Sequence, residues 1–119
     1  GTPNECRVVG RLVERGLHDE LTGEAYAIVD GTDGQTHHVR FSDLDHTGDA
    51  APGAIVERSV WTVRKGGRHS RLLVRSDLPL EAQTGARGAT WLDRQLLSKR
   101  PEALADGFGA EVRRALEQR

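Results

Sequence analysis

Residues 58–75 read Arg58-Ser59-Val60-Trp61-Thr62-Val63-Arg64-Lys65-Gly66-Gly67-Arg68-His69-Ser70-Arg71-Leu72-Leu73-Val74-Arg75. Two apolar-polar runs flank a Gly-Gly pair, the pattern of an antiparallel hairpin with a two-residue turn. With Gly66 and Gly67 as the turn, Lys65 pairs with Arg68, Arg64 with His69, Thr62 with Arg71, Val60 with Leu73 and Arg58 with Arg75. Side chains alternate across a strand, so Arg58, Val60, Thr62 and Arg64 share one face with His69, Arg71, Leu73 and Arg75. The other face carries Ser59, Trp61, Val63, Ser70, Leu72 and Val74. The hairpin thus separates a basic face from an apolar one, and Trp61, Leu72 and Val74 are expected in the core. On that expectation Trp61→Ala costs about 3–5 kcal/mol.

Outward from the hairpin, the preceding segments also read as short strands between turn signals. A first strand is expected over Cys6–Glu14, with a bulge near Gly10 because Val8, Val9, Leu12 and Val13 do not alternate cleanly. Residues 15–23 form an acidic loop holding Asp19 and Glu20. Further strands are expected over Glu24–Val29 and Gln35–Phe41, joined by the turn Asp30-Gly31-Thr32-Asp33-Gly34. Ser42–Gly53 is a polar connection with room for one helical turn at Ser42–Asp45, and strands over Ala54–Arg64 and His69–Arg75 complete the set. Five short strands with turns between them predict a small antiparallel barrel of oligonucleotide-binding or SH3-like type.

Composition changes after Ser76, where helix formers take over. Thr90 with Asp93 three residues on is a near capping box, followed by Trp91, Leu92 and Leu96. This helix should stop before Pro101. A second helix begins near Gly107, with Phe108, Val112, Ala115 and Leu116 on one apolar face that either docks on the barrel or awaits further chain. The expected class is therefore α+β, mainly β. Residues 1–5 are a cloning remnant or disordered start, 6–76 the barrel, and 77–119 a linker and two-helix appendage truncated at its end.

The 119 residues carry a formal net charge of -1, and Leu, Ile, Val and Phe make up 27 of them, enough for one folded domain. The absence of methionine and the stop at Arg119 inside an apparent helix suggest a piece of a longer protein. No apolar run approaches the ~18 residues that span a bilayer, and no leader peptide is visible, so a cytoplasmic setting is expected. One cysteine excludes an internal disulfide framework. The 15 Arg against 2 Lys hint at a GC-rich bacterial genome, and arginine suits bidentate contacts to phosphate or carboxylate.

The basic face carries the functional expectation. Arg58, Arg64, Lys65, Arg68, His69, Arg71 and Arg75 are the candidate contacts to a nucleic-acid backbone. The alternative is that these cations pair with the chain's own acidic loops, Asp19-Glu20 or Asp43–Asp49. Trp61 has a base-stacking alternative to its core role. No catalytic residue, metal or cofactor is expected. His37 and His38 are adjacent, so on a strand they point to opposite faces and cannot easily grip one ion. Tyr26 shares a strand face with Ile28 and reads as core or core-edge. Cys6 and His18 have only a remote reading as a nucleophile pair. Asp30–Gly34 departs from the calcium-loop spacing and lacks the distal glutamate. No phosphate-binding G-x-x-x-x-G-K-[ST] loop is present.

The run Gly16-Leu17-His18-Asp19-Glu20-Leu21-Thr22-Gly23-Glu24-Ala25-Tyr26-Ala27-Ile28-Val29-Asp30-Gly31-Thr32-Asp33-Gly34 resembles a region of relaxase/mobilization nucleases. These are the type IV secretion relaxases of conjugative and tumour-inducing plasmids. Pro52–Glu57 and Gly88–Leu96 look like the same region, and the likeness covers about residues 6–116. It is a likeness to the carboxy-terminal portion, a domain of unknown function. The nicking tyrosine and metal-binding histidine cluster of such relaxases lie upstream and match nothing here, so no catalytic residue is carried over. The resemblance implies a context of plasmid DNA transfer, and with the basic hairpin face it gives the first reading, an accessory domain that binds or positions single-stranded or duplex DNA. The alternative is an interaction module for secretion-coupling or auxiliary transfer proteins.

Overall fold

The computed structural model describes residues 7–63, 67–97, 104 and 106–119, without the side chains of 62, 63, 68 and 97. Five strands, β1 (Val8–Leu17), β2 (Ala25–Gly31), β3 (Thr36–Phe41), β4 (Ile55–Val63) and β5 (Gly67–Ser76), form one antiparallel sheet in the order β3-β2-β1-β4-β5. Three helices follow among the described residues, α1 (Leu80–Thr84), α2 (Trp91–Leu97) and α3 (Phe108–Gln118). The class is α+β and mainly β, as expected. The short α1 has no counterpart in the sequence reading; it follows Pro79, whose ring fixes φ at -58° at the N-cap and which caps it without a side-chain hydrogen bond. The expected remnant at 1–5 and the helix stop before Pro101 lie outside the described residues.

The sheet is not closed into the expected barrel. The edge strands β3 and β5 approach each other, but no ladder joins them among the described residues. A 3-10 turn, Leu44–Thr47, packs against β1, β2, β3 and β5 and fills the space near these edges. Its Thr47 is fully buried and donates to the Leu44 carbonyl at 2.7 Å.

β1 explains why the first strand does not alternate. Val8 belongs to a core inside the curled sheet, with Leu12, Ala27, Val29, Val39, Phe41, Val56 and Leu72. Val9 faces the other way, into a second core with Ile55, Leu80, Trp91, Leu92, Phe108, Val112 and Ala115. Ile55 and Val56 divide in the same manner. A strand covered on both faces reads as a continuous apolar run rather than an alternating one. The bulge exists, but between Leu12 and Glu14. Gly10 instead permits close approach of two strands, since a Cβ there would lie 1.9 Å from the Asp30 carbonyl oxygen of β2.

The helices close the second core. The Thr90–Asp93 capping box forms as expected, with Thr90 N donating to Asp93 Oδ2 at 2.8 Å and Asp93 N to Thr90 Oγ1 at 3.3 Å. Trp91 and Leu92 are buried beneath it, whereas Leu96 is exposed. The α3 face that lacked a partner in sequence docks on the sheet through Phe108, Val112 and Ala115. Gln83, fully buried on α1, donates to the Leu78 carbonyl at 2.8 Å and accepts from Leu92 N at 3.1 Å, tying α1 to α2. Arg11 crosses from the sheet to α3. Its guanidinium lies 4.8 Å from the centre of the Phe108 ring and bonds Glu111 and Asp30. Burial works against that charge, but the two carboxylates outweigh it and raise its pKa. No helix among the described residues is long and apolar enough to cross a membrane.

Candidate functional site

The β4–β5 ribbon carries the candidate site, but not in the expected register. Val63 pairs with Gly67, Thr62 with Arg68, Trp61 with His69, Ser59 with Arg71 and Arg58 with Leu72. The shift from the expected pairing is three residues. An odd shift changes which residues of the two strands share a face. Gly67 is therefore strand rather than turn, with a positive φ of 74° that glycine tolerates.

The consequences for the predicted cations are direct. Trp61 and Ser59 share a face with His69 and Arg71, while Arg58 pairs with the buried Leu72 on the opposite one. The single basic face expected from sequence is thus divided. The like-charge pair Arg58–Arg75 does not form. Arg75 falls at an irregularity between the Ile55 and Val56 pairings and bonds Glu57 through Nε at 3.0 Å and Nη2 at 2.7 Å. Arg7 reaches the same Glu57 oxygen at 3.3 Å. Burial raises the Glu57 pKa, but the two arginines more than offset this and hold it below its ordinary value. Arg75 is therefore satisfied within the chain, by Glu57 rather than by either acidic loop proposed from sequence. Arg64 and Lys65 lie outside the described residues, as does the side chain of Arg68.

Trp61 is not core. It is 37% exposed, and Val74 is 41% exposed, whereas Leu72 is buried as expected. The indole stacks with His69 at 5.7 Å between ring centres and with His46 at 6.4 Å. The Arg71 guanidinium lies 5.7 Å from the Trp61 ring centre. Two imidazoles and one guanidinium thus gather on one partly exposed aromatic ring.

His46 is the member that sequence reasoning missed. The 3-10 turn delivers it, and Asp43 caps that turn by accepting from His46 N at 3.1 Å. Asp43 also holds the ring through Nδ1 at 2.5 Å, and this bond lowers the Asp43 pKa. A helical turn is legible in sequence at Ser42–Asp45 and forms two residues later, at Leu44–Thr47, but its approach to Trp61 is a tertiary fact with no local signature.

The other singled-out residues sort simply. His37 and His38 sit side by side on β3, and His37 Nε2 bonds Asp33 Oδ2 at 2.8 Å. Asp33 also accepts from Gln35 N, which is turn chemistry. Tyr26 is half-buried at the core edge, alternating with fully buried Ala25 and Ala27. Among the described residues, no group of three or more His, Cys, Asp or Glu is placed to hold a metal ion. Cys6 lies outside them.

Fold and site together define an antiparallel-sheet domain with a helical cover on one side and an aromatic-cationic ribbon exposed at one end. The chain matches the family model described as "Protein of unknown function (DUF3363)" over residues 2–69 and 61–119, and it belongs to that family. No curated protein and no solved structure matches it.

Proposed function

We propose that this chain is an accessory nucleic-acid-binding domain that holds single-stranded DNA on the Trp61 ribbon. The observation that carries this reading is the exposed Trp61 with His46, His69 and Arg71 gathered on its ring. Aromatic rings beside cations are the common currency of single-strand recognition. A base stacks at about 1–3 kcal/mol, and cations follow the backbone without reading sequence. The resemblance to relaxase carboxy-terminal regions supports a setting in plasmid transfer, where a strand displaced by a nicking domain has to be held. Within this reading Arg71 and His69 contact phosphate beside the ring, and Arg58, on the opposite face of the ribbon, is not part of the path.

Fluorescence anisotropy with single-stranded and duplex oligonucleotides at two salt concentrations tests it. Affinity for the single strand should fall with salt, by a logarithmic slope of about −0.7 for each phosphate engaged. Arg71→Glu should weaken binding to all sequences alike, and Trp61→Ala should weaken it without unfolding the domain. Failure of the wild-type chain to bind either form in a salt-sensitive way would overturn the reading. One observation favours the alternative, a protein-interaction module for the transfer or secretion machinery: Glu57 already neutralises Arg75, so part of the basic ribbon is satisfied from within.

A further inference from the structure

We propose that the cleft between β1 and the 42–53 connection is a docking groove for a basic, amphipathic segment of another protein. The cleft is about 510 Å³ in volume and is lined by Val13, Leu44, Ala51 and Pro52, with Glu14 and Asp49 among its charged groups. Its apolar floor has a structural cause. The bulge between Leu12 and Glu14 turns Val13 outward, where it is 43% exposed, while Leu12 stays in the core. Leu44, at the start of the 3-10 turn, faces the same space and is 38% exposed. Aliphatic side chains collected in a cleft mark an interaction site more strongly than the same residues scattered singly.

Charge identifies the occupant. Among the described residues Arg15 is the one cation in the lining, and it is committed inward, donating to the Ala50 carbonyl at 2.8 Å and Thr47 Oγ1 at 3.3 Å. Asp49 and Glu14, which accepts from the Tyr26 hydroxyl, are exposed carboxylates at the cleft. The 42–53 connection that forms one wall holds Asp43, Asp45 and Asp49 and no Lys or Arg. An apolar cleft in negative surroundings repels nucleic acid and acidic peptides, and it attracts a segment that alternates aliphatic residues with Lys or Arg. A helix presenting aliphatic residues at i, i+3, i+4 and i+7 and cations at its flanks has the matching shape and sign. This groove and the Trp61 ribbon use different residues and opposite charge, so the two proposals stand or fall separately.

The test uses the full chain, labelled with nitrogen-15, and two short synthetic helical peptides. Both carry leucine at i, i+3, i+4 and i+7, one with lysine and the other with glutamate at the remaining positions. The lysine peptide should bind saturably at one site and shift the amides of Val13, Gly16, Leu44 and Ala51. Val13→Ser and Leu44→Ser, both at exposed positions, should each weaken it by about tenfold with an unchanged spectrum elsewhere. Asp49→Asn should weaken it less and flatten its salt dependence. The proposal is overturned if the lysine peptide does not bind, if the glutamate peptide binds as well, or if the shifts fall elsewhere. Sedimentation of the free chain as a dimer that Leu44→Ser dissolves would also overturn it, by making a second copy the occupant.

Discussion

The two tryptophans have opposite surroundings. Trp91 is 3% exposed, locked beneath α3 and against the sheet with Leu92, Phe108 and Val112. Trp61 is 37% exposed, and among the described residues its ring is approached by His46, His69 and Arg71. Around Trp91 the polar groups are fastened: Gln83 bridges α1 and α2, and Arg119 bonds Asp93 and the carbonyls of Ala86 and Gly88. Around Trp61 the partners are side chains whose contacts a ligand can exchange. The lesson is that the indole side chain does not set its own role; the number of elements packed on it does. The helix-covered side is built for stability, and the ribbon end is available for recognition.

The comparison breaks first at Trp91. Trp91→Ala should cost about 3–5 kcal/mol, enough to unfold much of a small domain, as measured by urea denaturation. A melting temperature close to wild type would show that the helices do not form a core with the sheet. Next comes Gly34, in the β2–β3 turn that lies against the chain leading into α3. Its φ is +84°, and a Cβ would sit 2.8 Å from the Asp106 carbonyl oxygen. Gly34→Ala should cost about 2 kcal/mol, through left-handed strain and this contact. Trp61→Ala should cost about 1 kcal/mol or less, since exposed positions lose little packing. A loss as large as that of Trp91→Ala would return Trp61 to the core.

The smallest effect is an acid one, confined to the helix side. The Arg119 guanidinium and the Thr90 backbone hold the Asp93 carboxyl at about 2, below its ordinary 3.8. A carboxylate depressed by folding stabilises fully above its unfolded pKa, and that contribution is lost as pH falls through about 2. Wild-type chain should therefore exceed Asp93→Asn in stability at pH 5 and lose that margin progressively from about pH 4 toward 2. An equal margin at both ends of this range, in urea titrations, would place the arginine elsewhere.

Strand existence is legible in the sequence, because turn residues such as Asp30–Gly34 and Pro52-Gly53 have local causes. So are the Thr90 capping box and the apolar face of α3. Register is not. Gly66-Gly67 looks like a two-residue turn, yet Gly67 belongs to β5, and a slip of three residues moves Trp61 from beside Leu72 to beside His69. Nothing local distinguishes these registers; the 3-10 turn packed on β5, which sets His46 beside Trp61, is a contact that only the folded chain supplies. The Val8-Val9 pair reads as a bulge only if one face of the sheet is covered, whereas both are. Of the candidate site, Arg71 and His69 stand out for their charge, but His46 and the exposure of Trp61 depend on contacts between segments far apart in sequence.

β1 has a kinetic consequence. Its successive valines serve two different cores, and its Leu12 N–H and Val9 carbonyl are bonded to Ala54 and Thr32, outside the regular ladders. Neither core can be assembled while this strand is unplaced, so the sheet and the helical cover cannot melt one after the other. Hydrogen exchange should register this as one slow unit. The Leu12 and Thr32 amides would exchange only when the whole domain opens, on the same clock as Leu92 beneath the helices.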